Sequence, residues 1–314
     1  MSKNPLPPCQ RKTTIGGQAI IEGIVMKGPN RSCLTLRKPD GELVFEEKET
    51  TPVEKRHPFW RLPVARGAYN LFTALKEGME AIDISAKYID EEEEEPSKFE
   101  LWLEKKLGSE KLEKLVMAFA MVVGCAIPIA LFFFLPSLLT GWLPENTPYI
   151  LRSLLEGVVR IAIFLCFMWS VSHMKDIERT FRYHGAEHKT IFCYEAAREL
   201  TVENVRKMPR FHPRCGTSFL FVVMIISILV SALIPLTKPL PRMIAHLILL
   251  PLIVGLSYEA NRFAGRHDNL LCRILRWPGL QLQKLTVFEP DDGMIEVAIE
   301  AMKRVIPDDG SDKW

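Results

Sequence analysis

The sequence is short of several things, and each shortage removes a class of protein. Its seven cysteines contain no Cys-x-x-Cys pair, so no disulfide framework is written in it, and the odd count fits reduced thiols facing a cytosol. Residues Met1 to Thr14 are polar and Pro-rich with no apolar run, which predicts no cleavable signal peptide. There is no internal repeat, P-loop or dinucleotide fingerprint. Net charge is nearly absent too: 40 basic against 38 acidic residues leave +2, no footing for a nucleic-acid binder. Apolar bulk is ample, with 17 Phe, 12 Met and 6 Trp in 314 residues, so a disordered chain is excluded.

The informative shortage is local. A mean hydropathy of +0.07 hides long stretches without charge. Leu115 to Thr140 carries none over 26 residues, and Thr217 to Leu236 none over 20; about 20 apolar residues suffice to cross a bilayer. Four membrane segments are expected, at about 115–140, 150–172, 217–236 and 241–258. The second carries Arg152, Glu156 and Arg160 in its first half, where the i, i+4 spacing lets Glu156 and Arg160 pair on one helix face. The fourth is short and holds His246, expected to be a hydrogen-bonded packing residue, and Pro251. Lys and Arg fall in residues 1–114, 173–216 and 259–314, which hold 36 of the 40. The rule that basic loops stay inside then places both termini in the cytosol of a multi-pass inner-membrane protein.

Outside these segments, Gln18 to Lys27 and Cys33 to Lys48 are β-branched runs, the second broken by the turn Pro39-Asp40-Gly41. Ala65, Ala68, Phe72, Leu75, Met79, Ile82, Ala86 and Ile89 form a helical stripe, expected to pack on the β unit or the bundle. Glu91 to Glu95, followed by Pro96, is expected to be a solvated linker. Asp291-Asp292-Gly293 opens a capped helix running to Val305. The expected fold is an α-helical polytopic membrane protein with about four transmembrane helices and a small N-terminal cytosolic α+β region. Its divisions are a β-rich unit at 1–63, an amphipathic helix and acidic linker at 64–114, a bundle at 115–258 with the cytosolic loop 173–216, and a cytosolic segment at 259–314.

The sharpest chemical signal is Tyr183-His184-Gly185-Ala186-Glu187-His188-Lys189. On a helix, His184 and His188 share a face one turn apart, the spacing two imidazoles need to bind one ion. The order His-x-x-Glu-His is that of the inverted zincins, whose Glu handles the proton of the attacking water. The segment His212-Pro213-Arg214-Cys215-Gly216-Thr217 and the cluster Tyr258, Glu259, Asn261 and Arg262 are expected at the same cytosolic level. Glu259 or Cys215 would complete the ligand set, with His212 a competitor. Glu195, Tyr183 and Arg262 would orient the ligands from behind, and Arg214 would receive an anionic group of the substrate. Surface histidines, a buried apolar cysteine and arginines at lipid headgroups are the plainer accounts of the same residues. Around Glu22, the glycine-dense run Gly16-Gly17-Gln18-Ala19-Ile20-Ile21-Glu22-Gly23 points to tight turns or close backbone approach.

Five segments carry a family resemblance: Gly-Gly-Gln-Ala-Ile-Ile-Glu-Gly-Ile-Val-Met-Lys-Gly-Pro at 16–29, Phe-Arg-Tyr-His-Gly-Ala-Glu-His-Lys-Thr at 181–190, Leu-Thr-Val-Glu-Asn-Val at 200–205, His-Pro-Arg-Cys-Gly-Thr-Ser-Phe at 212–219 and Pro-Gly-Leu-Gln-Leu-Gln-Lys-Leu-Thr at 278–286. In matching order from about residue 12 to about residue 300, they resemble the YqhQ family of bacterial membrane proteins. The resemblance implies a domain of unknown function labelled a predicted metal-dependent enzyme. Carried over, that label would rest on His184, Glu187, His188, His212 and Cys215.

The leading expectation is a divalent metal, zinc by ligand type, with Glu187 as general base for hydrolysis of a peptide or lipid-linked substrate at the cytosolic leaflet. The expected partners are the bilayer, that substrate and a second copy in a homo-oligomer, with no nucleic acid. A different class of reading is a non-catalytic scaffold or assembly factor, in which the His-Glu-Arg cluster latches helix ends to the β unit. A third is transport of ions or small solutes through Glu156, Arg160 and His246.

Overall fold

A computed structural model of the protein describes residues 11–50, 57–89, 106, 108–144, 146–236, 238–267 and 269–313. The acidic run at 91–95 with Pro96, the Pro-rich start and Cys9 lie outside the described residues. The protein is mostly helical, with one small antiparallel sheet near its N-terminus. It divides into two compact units, one of Met1–Ile89, Phe167–Ile226 and Pro251–Trp314, the other of Asp90–Cys166 and Ser227–Leu250.

In the first unit, β1 (Gly16–Ile20), β2 (Gly23–Lys27), β3 (Arg31–Arg37) and β4 (Leu43–Glu49) form a meander in chain order. Pro39-Asp40-Gly41 turns β3 into β4, as its chemistry predicts. The run 18–27, legible as one strand, is two. Ile20 pairs with Gly23, leaving Ile21 and Glu22 as a two-residue loop. Glu22 takes a left-handed φ of 53°, a conformation that costs a non-glycine residue energy and needs outside support. Period-2 alternation splits the sheet's faces. Ile24, Met26 and Cys33 pack with α5 (Lys175–Glu195) and α10 (Asp292–Val305), while Leu34 and Leu36 face the other way toward Ala81. Helix α10 starts where expected, the Asp291 carboxylate capping Met294 N at 2.9 Å.

Ala81 belongs to α1 (Ala65–Ile89), and the face α1 gives the sheet is not its apolar stripe. Gly78, Ala81 and Ser85, spaced i, i+3 and i+7, meet the strands; a Cβ on Gly78 would lie 2.8 Å from Gln18 Nε2, and Ser85 Oγ donates to Ile21 O at 2.5 Å. Small residues let the helix approach closely. Phe72, Leu75, Met79 and Ile82, expected to pack inward, are exposed.

The helices α2 (Ser109–Ile129), α3 (Leu135–Gly141), α4 (Tyr149–Val171), α7 (Gly216–Ser231) and α8 (Pro239–Arg266) correspond to the four charge-poor segments. Among the described residues three stretches, Val122–Gly141, Tyr149–Val171 and Pro239–Arg266, are long and apolar enough to cross a membrane, and Gly216–Ser231 is a shorter apolar helix. Pro128, which lacks an N–H, precedes a π turn at Ala130–Phe134 that joins α2 to α3.

The second unit has the polarity of a water-soluble protein reversed. Val158, Leu233 and Ile248 face outward, while Arg152, Ser153, Glu156, Arg160, Ser231, Arg242 and His246 are buried. One carboxylate organises them. Glu156 Oε1 accepts from Arg160 Nη2 at 2.7 Å, as the spacing predicts, and from Ser137 Oγ at 3.1 Å; Oε2 accepts from Arg242 Nε at 2.5 Å. Arg242 also donates to Leu236 O, Ser153 Oγ and Ser231 Oγ at 2.6–2.7 Å. Arg152 donates to Thr140 O in the last turn of α3, where a cation is favoured, and to Leu143 O and Pro144 O just beyond it. His246 Nδ1 bonds Arg242 O at 2.8 Å.

Candidate metal centre

The polar helix α5 runs through the first unit and is buried at nearly every residue from Tyr183 to Glu195. A buried polar helix is tolerable only if its side chains find partners. Lys189 pairs with Glu289 and donates at 2.9 Å to Arg206 O, at the end of the short helix α6 (Val202–Arg206). Tyr183 donates to Glu22 Oε2 at 3.3 Å, and Arg179 holds the same carboxylate with two nitrogens. That clamp supports the strained hairpin tip. Burial, then the neighbouring Glu22 charge, pushes the Tyr183 phenol up; its hydroxyl serves Glu22.

His184 and His188 lie one turn apart with ring centres 4.4 Å from each other. Each Nδ1 faces a backbone carbonyl: Thr286 O at 2.9 Å for His184 and Arg210 O at 2.6 Å for His188. A carbonyl only accepts, so both Nδ1 atoms carry a proton, and each Nε2 is the atom turned toward the space between the rings and Cys215. His184 Nε2 meets Cys215 Sγ at 3.2 Å. His188 Nε2 is buried and has no hydrogen-bond partner among the described residues. One ligand atom each from His184, His188 and Cys215 lies within 4.8 Å of the others. Cys215 immediately precedes α7, and Thr217 turns both its N–H (3.4 Å) and its hydroxyl (3.3 Å) to the sulfur. Burial would push the thiol up, but His188 and the two Thr217 bonds outweigh it and lower it. Burial holds His188 below its ordinary range, opposed by the Cys215 sulfur.

Bonds of about 2.0–2.1 Å to nitrogen and about 2.3 Å to sulfur would put tetrahedral ligand atoms roughly 3.3–3.6 Å apart; His184 Nε2 and Cys215 Sγ are 3.2 Å apart and all three ligand atoms lie within 4.8 Å of one another, so a zinc ion would need the set to close slightly around it. The carbonyls behind the rings hold tautomer and orientation as they do in metal sites; His188 Nε2, like the Nε2 atoms of His212 and His246, is buried without a hydrogen-bond partner among the described residues, which is costly.

Glu187, between the two histidines in sequence, points to another neighbour. Gly17 of β1 packs against its carboxyl so closely that a Cβ there would come 2.9 Å from Cδ and 2.9 Å from Val25 O. Burial pushes the carboxyl up to about 7, opposed by His184 and by the Gly17 backbone. The glycine requirement is testable: Gly17→Ala is expected to lower stability by about 1–3 kcal/mol through overpacking. Gly16→Ala, where nothing lies within 4 Å, is expected to be nearly silent, as thermal melting of the two variants would show.

His212 lies beside the group, its ring centre 5.6 Å from that of His188. Its Nδ1 accepts from Arg214 N at 3.3 Å, and its Nε2 lies 3.6 Å from Glu195 Oε2. Glu195 also accepts from Thr13 N at 2.8 Å and pairs with Arg214. Burial raises this carboxyl, yet His212, Arg214 and Thr13 together bring it below its usual range. Arg214, expected to receive a substrate anion, pairs with Glu195. Glu259 is not with the group either: Arg66 takes both its oxygens, and Val64 N adds a 3.4 Å bond. Arg262 stands near Glu259, whose carboxylate it favours. Sequence reasoning missed Gln283 of α9 (Leu270–Thr286), which grips the His212 backbone twice, accepting from its N at 2.8 Å and donating to its O at 2.7 Å. Its signal was present in the Gln-Leu-Gln of the 278–286 segment.

Chemically, the site offers two imidazole nitrogens, an acidified thiol and a carboxyl pushed up to about 7, on a mostly helical protein with three helices, among the described residues, apolar and long enough for a membrane. A family described as a protein of unknown function, DUF1385, matches residues 62–308. The chain belongs to the YqhQ family: it is 32% identical over 314 residues to the uncharacterized protein YqhQ of Bacillus subtilis (strain 168), covering 98% of this chain and 95% of that one. No solved structure matches it.

Proposed function

We propose that the protein is a multi-pass inner-membrane hydrolase with a zinc centre at its cytosolic face, made by His184, His188 and Cys215. The carrying observation is the convergence of His184 Nε2, the unpartnered His188 Nε2 and Cys215 Sγ. The membrane reading is supported by the reversed polarity of the second unit. In it, Gly216–Ser231, about 24 Å long at 1.5 Å per residue, is a fourth, short crossing, and both termini are cytosolic. His184, His188 and Cys215 would hold a divalent ion, which would supply Lewis acidity. Glu187, poised near 7, takes the proton of the attacking water and returns it to the leaving group. His212, held by Gln283 and Glu195, fixes the wall beside His188. The substrate class is a peptide or lipid-linked amide or ester reaching the cytosolic leaflet.

A non-catalytic latch is the second reading, favoured by the ties that bind hairpin, α5 and the 212–215 turn through Glu22, Glu195 and Gln283. Glu187→Gln separates the two. Zinc-loaded protein in nanodiscs is offered pools of peptides and lipid-linked esters. Hydrolysis by the wild type that falls at least 100-fold in Glu187→Gln at equal zinc content supports chemistry; equal turnover by both, or none by the wild type, supports the latch.

A further inference from the structure

Helix α9 has two unlike faces. Its inner face carries Cys272, Gly279, Leu282, Gln283 and Thr286, all buried. Gln283 grips His212, Thr286 O receives His184 Nδ1, and Gly279 packs directly against Ser218 at the start of α7. Its outer face, at spacings i, i+1, i+4 and i+7, shows Leu270, Leu271, Ile274 and Trp277, each between 58% and 73% exposed. Four large apolar side chains grouped on the first two turns of a helix are more than scattered surface hydrophobics.

Charge names the occupant. Between residues 260 and 286 stand Arg262, Arg266, Arg273, Arg276 and Lys284 against a single acid, Asp268. An apolar stripe rimmed by arginines, with a Trp at its edge, is the composition of a helix lying in an anionic membrane interface. Position agrees. Helix α8 ends at Arg266 and α9 begins at Leu270, so the link holds the start of α9 within roughly 14 Å of the end of a helix read as a membrane span. Arg262 and Arg266 follow the apolar part of that span by one to two turns, headgroup depth.

We infer that the outer face of α9 lies in the cytosolic leaflet of an anionic phospholipid bilayer, while its inner face holds His184 and His212 in place. This rests on the membrane reading of α8 and is independent of whether a metal is bound. Immersion of Leu270, Leu271, Ile274 and Trp277 fixes the depth and tilt of the helix that supplies Thr286 O and Gln283. The leaflet thereby becomes part of the scaffold of the site.

The test is spin-label accessibility in full-length protein in nanodiscs of phosphatidylglycerol and phosphatidylcholine, with Cys9, Cys125 and Cys166 replaced by Ser. Labels are placed singly by Ile274→Cys, Lys284→Cys and, on the exposed side of α8, Leu252→Cys. The inference expects the label at 274 to favour dissolved oxygen over a water-soluble nickel chelate by at least several-fold, with the label at 284 favouring the chelate. It also expects the oxygen preference at 274 to shrink in all-phosphatidylcholine discs and with Arg273→Glu and Arg276→Glu combined. Chelate-accessible labels at 274 with a lipid-exposed label at 252 overturn the inference alone. Chelate access at both 274 and 252 overturns the membrane reading as well. A label at 274 shielded from both reagents overturns it in favour of a second copy of the chain.

Discussion

Glu156→Ala is expected to prevent accumulation of folded protein. Among the described residues the carboxylate is the sole acid in a buried group that includes Arg160 and Arg242, and it bonds both. Removing it leaves two guanidinium groups buried and facing each other without a counter-charge. Breaking a buried ion pair from one side costs roughly 3–5 kcal/mol, and here two pairs are lost at once, against a total stability of about 5–15 kcal/mol. Glu156→Gln keeps the shape and one acceptor oxygen, so it should be damaging but less so. A triple replacement of Glu156, Arg160 and Arg242 by Leu or Met should recover part of the loss, because it removes the unpaired charge together with the pair. Detergent-solubilised yield and the melting temperature of a fluorescent fusion measure the order: wild type, then the triple variant and Glu156→Gln, then Glu156→Ala. An alanine variant as stable as wild type would show that Glu156 does not hold the helices together.

The second large effect is a gradient of zinc affinity around α5. Cys215→Ala removes the sulfur at 3.2 Å from His184 Nε2 and is expected to weaken zinc binding by more than 100-fold, since three ligands become two. Gln283→Leu touches no ligand atom. It releases the His212 backbone and through it the turn carrying Cys215, a change one step removed that typically costs about 10–100-fold. Glu259→Gln is expected to leave zinc affinity unchanged, because that carboxylate belongs to Arg66. Competition against a zinc-sensing chelator orders the three. Equal weakening by Glu259→Gln and Cys215→Ala would show that the ligand set is wrong.

What the chain discloses before folding depends on range. Charge-free runs, the Glu156–Arg160 spacing, the Pro39-Asp40-Gly41 turn, the Asp291 cap and the His184–His188 pair all act within a few residues, so spacing alone reveals them. The hairpin tip at Glu22 was hidden because it has no Asn-Gly or Asp-Gly signal; Arg179, 157 residues away, holds it. The inner face of α1 was misread for a related reason. Size of the apolar stripe suggested burial, yet closeness of approach decided it, and Gly78, Ala81 and Ser85 are the small side. Glu259 looked like a ligand because it ends an apolar helix at a suitable level, and nothing local announces that Arg66 claims it. Gly17 beneath Glu187 and Gln283 beneath His212 are likewise tertiary facts, although both sit in segments that the family resemblance had marked.

The most direct test of the account is the metal content of the purified full-length protein, extracted without chelators and measured by plasma mass spectrometry beside the variant combining His184→Ala and His188→Ala. Both samples must elute as folded protein of the same size. The account predicts close to one zinc per chain in the wild type and less than about a tenth of that in the variant, the loss expected when two of three ligands go. Equal zinc in the two proteins, or none in a folded wild type after incubation with zinc, would contradict it.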